Sequence, residues 1–441
     1  MPLLTADQAD TAARRAATGL LRRGLVPGDR LAMVTPEYAT GDVAVAQADT
    51  LAVLWAALRL GIVPVLIHPL LTPPERRHIL TDSQATGDAV EATECAALVT
   101  TPGGVDLPDR PRARPMHYTS GTTGVPKGVV ADLSDAEAAA WWDDEIAHWG
   151  FDADDVTLVH SPLCHSAPLR FAIGTLDAGG AVALPGRFSP ASHAAALTEF
   201  TPTTAFTAPS QLHQLLAFGV PASPYRLLAH AGSPCPADLK RRIHGWAGAG
   251  STWEFYGSTE GQFTSCPGTE WEDRPGTVGR AREGRTLSVD EGGQVWCVPP
   301  TFARFAYWHD PVKTEAAWRD TPVGRAFTVG DLGRLDSEGY LFLEGRREDL
   351  IISGGVNVYP AEVEAAVGAM PGVTEVAVYA IPDERWGQRV AAAVVGVVTE
   401  AELDAWARTR LAGYKRPKEW HLVAELPRNS MGKIQRSTLP H

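Results

Sequence analysis

Apolar positions recur along residues 9–23 at helical spacing, through Ala and Leu, and the run ends near Gly24. LAMVT (31–35) predicts a strand, residues 45–60 a helix, and IVPVLI (62–67) a second strand. Ser134 with Glu137 reads as a capping box that opens a helix through two tryptophans to His148. Short β-branched or aromatic runs follow: VTLVH (156–160), AVAL (181–184), TTAFT (203–207), YRLLAH (225–230) and TWEFY (252–256). Helical stretches separate most of them. That rhythm predicts βαβ units and a mostly parallel sheet, whose ligands gather at the carboxyl ends of strands.

From about 277 the strands crowd together and glycine turns multiply, which predicts an antiparallel subdomain. After Gly345 a new unit begins. Pro360 opens a helix over 360–369, VTEVAVYAI and RVAAAVVGVV read as strands, and AELDAWARTRLAG as another helix. The expected architecture is α/β. A large N-terminal domain (1–346) of layered helices and mostly parallel sheets, with the antiparallel subdomain, precedes a small, mobile α+β domain (347–441), with a hinge near 346–349.

A chain of 441 residues exceeds what one core usually organises, in keeping with two domains. Hydrophobic residues at 44% and charged residues at 21% are ordinary for a globular protein. A net charge of -13 argues against a nucleic-acid surface, so any anionic ligand must find its positive charge locally. Five cysteines, none in a CxxC pair, disfavour a disulfide framework and a zinc knuckle, and imply a reducing, cytoplasmic setting. The N-terminus carries no long apolar run of a signal peptide. LAVLWAALRLGIVPVLIHP is interrupted by Arg59, Gly61 and Pro64, and reads as a buried helix and strand rather than a membrane span.

MHYTSGTTGVPKG (116–128) gathers glycines, hydroxyls and Lys127 in one turn. Glycines let backbone amides approach phosphates, and the lysine adds a mobile charge. Neither the GxxxxGK[ST] nor the GxGxxG pattern fits, so this loop alone could be a plain surface turn. Three further segments change that. YTSGTTGVPKG (118–128), EFYGSTEG (254–261), FTVGDLGRLDSEGYLFLEGRREDLIISGGVNVYPAEVE (327–364) and PRNSMGKIQR (427–436) together resemble, in order, the core motifs of the adenylate-forming superfamily. Its members are acyl-CoA synthetases, nonribosomal-peptide adenylation domains and luciferases. The likeness covers nearly the entire chain and is closest in texture to fatty-acid or aryl-acid CoA ligases.

The resemblance implies a reaction in two halves, with the small domain rotating between them. A carboxylate attacks the α-phosphate of ATP, giving an acyl-adenylate and pyrophosphate; then a nucleophile, often the thiol of coenzyme A, takes the acyl group. By the same resemblance, Thr119, Ser120, Gly121, Thr122, Thr123, Gly124 and Lys127 wrap the β- and γ-phosphates. Tyr256, with Gly257 after it, lies against adenine, as do Gly232 and Ser233 in the looser match AGSPCP. Thr259 touches the α-phosphate and Glu260 helps hold Mg²⁺, a hard cation suited to carboxylate oxygen. Asp331 accepts from the ribose hydroxyls and Arg346 is the second ribose and phosphate contact. Gly354 and Gly355 come over the pantetheine channel. Lys433 bridges carboxylate and α-phosphate, where negative charge gathers in the transition state. Glu348 stands at the hinge, where the family usually has aspartate or lysine, a mild departure.

On the substrate side, residues 160–184 resemble the helix and strand lining the acyl pocket. His165 is either the gate near the carboxylate, counted here with Lys433, Thr259 and Glu260 as catalytic, or a structural histidine at a helix start. Ser166 is a candidate cap of that helix. Arg170 either pairs with a second substrate charge or, the favoured expectation, is solvated. The region before the phosphate loop is short, which points to a shallower acyl site and a secondary-metabolism, biosynthetic role. The leading expectation is an acyl-CoA ligase for a medium, aryl or otherwise hydrophobic acid. Its alternatives keep adenylation but transfer to a carrier protein in trans or to an amine, or activate nitrite to build a diazo group. A non-catalytic scaffold would not need every nucleotide-facing motif. Nothing in the sequence fixes the oligomeric state.

Overall fold

A computed structural model describes residues 2–36, 42–119, 126–346, 349–353, 356–383, 387–428 and 434–440, without the side chains of 346, 352, 356, 357 and 387. Contacts gather the chain into two units: Met1–Leu287 with Cys297–Phe327, and Ser288–Trp296 with Thr328–His441.

The βαβ rhythm of the larger unit becomes a parallel core. Its strands run in the order Ala181–Ala183, Val156–Leu158, Thr204–Thr207, Leu227–His230 and Thr252–Gly257. Two antiparallel strands flank one edge, Gln262–Pro267 and Arg280–Ala281, and Leu3–Thr5 closes the other against Ala181–Ala183. A second sheet lines up Arg30–Val34, Val63–Ile67, Met116–Thr119, Lys127–Val130 and Ala306–Tyr307. Its first three strands are parallel and its last two antiparallel. Further on, Trp318–Thr321 and Gly324–Phe327 form an antiparallel hairpin, as the glycine-rich texture there predicts.

Helices between the sheets supply the core. Val43–Leu60 is apolar on nearly every face, as a helix buried all round must be. It alone among the described residues is long and apolar enough to cross a membrane, yet 67% of it is buried within the fold. The helix Asp135–Trp149 begins as its sequence predicts: Ser134 Oγ accepts from the Glu137 N–H, and Glu137 Oε2 accepts from the Ser134 N–H. Near its far end Trp149 meets Phe171 at 5.2 Å and Phe255 at 5.6 Å between ring centroids. Each such pair contributes about 0.5–1.5 kcal/mol beyond its buried area. This cluster locks together the helices Asp135–Trp149 and Ser166–Asp177 and the strand Thr252–Gly257, the elements that carry the site.

Two expectations on the acyl-side helix need correction. Ser166 is the first helical residue, and His165 occupies the cap position without a side-chain cap bond. Arg170 is not solvated. It is 9% exposed, because Glu145 on the neighbouring helix offers a buried carboxylate 3.2 Å away.

The smaller unit contains the hairpin Asp331–Leu335 with Leu341–Arg346. It also has a sheet in the order Val356–Val358, Ile351–Ser353, Gly387–Gly396 and Val373–Asp383, with Glu419–Leu422 parallel to Gly387–Gly396. The helices Pro360–Gly368 and Glu400–Arg408 cover a core of Ile351, Val363, Val378, Val390 and Leu403.

Candidate active site

In the larger unit two hairpins meet. The strands Met116–Thr119 and Lys127–Val130 place Thr119 opposite Lys127, so both ends of the glycine-threonine loop are fixed on one ladder. Ser120, Gly121, Thr122, Thr123 and Gly124 lie outside the described residues. Gly128 is needed for close approach: a Cβ there would press on Met116 and stand 3.1 Å from the Trp308 Cβ. Lys127 Nζ donates to Asp310 Oδ2 at 2.5 Å. Asp310 also accepts from the Lys313 N–H at 3.0 Å, capping the helix Pro311–Ala317. These bonds, that from Lys127 first, hold its carboxyl below the ordinary range. A phosphate reaching Lys127 must share it with Asp310.

The second hairpin joins Thr252–Gly257 to Gln262–Pro267, with a register shift at Tyr256/Gly257. The Ser258 N–H donates to the Gly261 carbonyl at 2.9 Å, closing the turn that carries Thr259 and Glu260. Glu260 is buried, and its Oε1 accepts from the Tyr307 hydroxyl at 2.8 Å. Tyr307 itself pairs with Val129, on the strand that Lys127 opens. One tyrosine thus ties the second motif to the first. Tyr256 is half-buried, its ring 4.8 Å from Phe263. Gly232 and Ser233 are exposed just past the parallel neighbour Leu227–His230, so the expected adenine-side residues lie at the carboxyl ends of adjacent strands.

His117 Nδ1 lies 3.1 Å from the Cys164 carbonyl, which makes that nitrogen the donor. Burial pulls its pKa down to about 4, so the ring is neutral at pH 7. Burial does the same to His165, also to about 4, with His68 beside it at 5.6 Å between ring centroids. His68, Cys164 and His165 bring three potential ligand atoms within 4.8 Å of one another. Burial pushes the thiols of Cys95, Cys235, Cys266 and Cys297 up to about 12, which leaves them poor nucleophiles.

Thr259 and Ser166 border a cavity of about 390 Å³, mouth included, whose other walls include Arg114, Glu145, Arg170 and Arg282. Glu145 Oε1 accepts from Arg282 Nη1 at 2.5 Å as well as from Arg170. The two arginines outweigh desolvation and hold the Glu145 carboxyl down at about 2. An adjoining cavity shares Arg114, Ser166 and Thr259 and adds His117.

The sequence matches the model of the AMP-binding enzyme over residues 3–101 and 91–299, and that of the AMP-binding enzyme C-terminal domain over 362–433. The chain belongs to the AMP-binding enzyme family. A feruloyl-CoA synthase of Amycolatopsis is 31% identical over 95% of this chain and 90% of its own. The ATP-bound MatB of Rhodopseudomonas palustris superposes with a TM-score of 0.81 at 30% identity, over 98% of this chain and 92% of that one. The o-succinylbenzoate coenzyme A synthetase of Bacillus subtilis, in complex with ATP and magnesium ion, gives 0.84 at 25% identity, over 98% and 94%.

In this AMP-binding enzyme the smaller unit places Asp331 directly opposite Arg346 on one antiparallel ladder, with Asp331 buried. Glu348, Gly354, Gly355 and Lys433 lie outside the described residues. Their surroundings are partly described. Arg428 and Ile434 bridge antiparallel, and the Gln435 N–H donates to the Pro427 carbonyl at 2.9 Å. Arg436 pairs with Glu364 at 2.8 Å and Asp349 at 3.4 Å. Sequence reasoning missed Tyr307, Asp310, Arg114, Glu145 and Arg282. All five lie outside the four motifs, and no short-range pattern links them to one.

Proposed function

We propose that this chain is an adenylate-forming acid–CoA ligase. A substrate carboxylate oxygen attacks the α-phosphorus of ATP, the bond to the β-phosphate breaks, and pyrophosphate leaves. The thiol of coenzyme A then attacks the acyl carbon and AMP departs, giving an acyl-CoA. The observation that carries the reading is the Tyr307–Glu260 bond, which seats the Thr259–Glu260 turn against the phosphate-loop hairpin.

On this reading Thr119 and Lys127 hold the pyrophosphate end, with Ser120 to Gly124 between them. Thr259 contacts the α-phosphate. Tyr256, Gly257, Gly232 and Ser233 flank adenine, and Asp331 and Arg346 hold the ribose. His165, neutral, borders the acid. Glu260 fits Mg²⁺: one oxygen is engaged by Tyr307, and among the described residues the other has no partner. When bound, Mg²⁺ neutralises phosphate charge and favours the leaving pyrophosphate. Lys433 supplies the positive charge between carboxylate and α-phosphate. Gly354 and Gly355 border the pantetheine. The functional pivot lies near 346–349, dividing 1–346 from 347–441 by movement rather than by contact. The free thiols fit a cytoplasmic enzyme.

A second reading keeps the adenylation and changes the acceptor to a carrier protein or an amine, or activates nitrite to build a diazo group. The charged walls of the cavity beside Thr259 favour a small anion such as nitrite over a long apolar acid. Both are tested by pyrophosphate release with ATP and Mg²⁺ across fatty, aryl and amino acids and nitrite, with and without coenzyme A. A CoA thioester supports the ligase, pyrophosphate without thioester supports the second reading, and folded protein that neither binds ATP nor releases pyrophosphate overturns both.

A further inference from the structure

The cavity beside Thr259 holds more positive charge than its own carboxylates balance. Four guanidinium groups line it, those of Arg114, Arg170, Arg282 and Arg285. Two carboxylates answer them. Glu145 takes Arg170 and Arg282, and Asp144 takes Arg282 at 2.6 Å and Arg285 at 2.9 Å. Among the described residues Arg114 has no carboxylate partner. It donates to the carbonyls of Arg304 at 3.2 Å and Phe302 at 3.5 Å, and lies 4.4 Å over the Trp141 ring. Burial, with Arg170 nearby, lowers its pKa to about 9, which leaves it charged at neutral pH.

Hydrogen-bonding capacity is also left over. Among the described residues, Nε of Arg170, Arg282 and Arg285, Nε2 of Gln262 and Oγ of Ser258 are all buried without a partner, and all belong to residues lining this cavity. Arg282 and Gln262 are 1% and 6% exposed. Buried donors without acceptors are costly to keep, and a buried cation without a counter-charge costs more. A ligand that brings acceptor oxygens removes both costs, whereas an alkyl chain would leave them standing.

We infer that the acid activated at this site carries a second carboxylate, received by Arg114 and Arg170 while the reacting carboxylate lies toward Thr259. Thr259 and Arg114 line both adjoining cavities, so the two ends of a short or aryl diacid fall within one site. Planar guanidinium forks match carboxylate geometry, which suits arginine to this recognition. The inference rests on the adenylation reading and narrows its substrate.

The test is substrate-dependent ATP–pyrophosphate exchange by the full chain, with acids matched in carbon skeleton: valerate against glutarate and p-toluate against terephthalate, with octanoate and nitrite alongside. The diacid of each pair is expected to win by about 10-fold or more in kcat/KM, because the monoacid leaves the arginines without acceptors. Arg114→Met keeps the packing on Trp141 and should bring that ratio close to one, mainly through KM for the diacid; a thermal melt checks its folding, and Arg114→Lys serves if it does not fold. Preference for the monoacids, octanoate or nitrite, or a ratio unmoved by these variants, overturns the diacid assignment and leaves adenylation standing. Folded protein that neither binds ATP nor exchanges pyrophosphate with any of these acids overturns the adenylation reading, and this inference with it.

Discussion

The hydroxyl of Tyr307 donates to the buried carboxylate of Glu260 at 2.8 Å, joining two segments 47 residues apart in the chain. Because Tyr307 sits on the strand paired with the phosphate-loop hairpin, this bond orients the proposed cation ligand from outside its own motif. Tyr307→Phe removes a hydrogen bond to a charged group, worth about 1.5–3 kcal/mol, so adenylation should fall about 10- to 100-fold. The Mg²⁺ concentration for half-maximal rate should rise. Glu260→Gln should be worse at every Mg²⁺ concentration. A metal titration of pyrophosphate exchange checks both; an unchanged Mg²⁺ dependence in both variants counts against Glu260 as a ligand.

Lys433 stands in the motif PRNSMGKIQR. Lys433→Ala should lower adenylation by about 100-fold or more, the scale on which a single preorganised charge acts on a transition state. Thioester formation from supplied acyl-adenylate and coenzyme A should stay within about 3-fold of the parent, since on the proposed reading Lys433 serves the adenylation half alone. Equal loss in both halves would assign Lys433 a general rather than a step-specific role.

Arg282 and Glu145 are each 1% exposed and hold each other at 2.5 Å. Glu145→Gln leaves Arg170 and Arg282 facing each other with one carboxylate fewer. Losing one partner of such a buried pair costs about 3–5 kcal/mol. Urea unfolding should show that drop. A cost under about 1 kcal/mol would mean that solvent already screens the cluster.

His160 and His193 stack at 5.0 Å and are 4% and 0% exposed. Burial drives their pKa values down to about 3 and about 4. The unfolded chain therefore takes up protons below about pH 6.5 that the native chain refuses. Stability is full above that pH and falls as acid is added, by up to about 1.4 kcal/mol per unit for each histidine, until the folded pKa is reached. Urea midpoints at pH 7.5, 6 and 5 should decline in that order. His193→Phe should flatten the decline.

Gly128→Ala should cost about 1–3 kcal/mol by forcing Met116 and Trp308 away from the hairpin. A melt of the variant would check it. If stability is unchanged and only activity falls, the glycine serves the ligand rather than the fold.

Much of this was legible in the chain. The βαβ rhythm, the Ser134–Glu137 box and the four motifs depend on local spacing, and local spacing is what a sequence displays directly. The misses are long-range. Arg282 finds Glu145 across 137 positions, and nothing near either residue announces the other. Arg170 reads as a solvated charge until the partner helix is in place. The strand Leu3–Thr5 is too short to show alternation and exists only because Ala181–Ala183 offers it an edge. Ser288–Trp296 joins the smaller unit through contacts that chain order does not reveal.

Thr119 and Lys127 face each other across the ladder, so the hairpin stays closed whatever path joins them. Closing a flexible connection costs only about 0.6 kcal/mol more each time its length doubles. Folding would tolerate a longer glycine-threonine segment almost without notice. On the proposed function the constraint on its length comes from the ligand, which the segment's amides and hydroxyls would have to meet at once. An insertion there should yield a protein that folds and melts like its parent but can no longer grip a triphosphate.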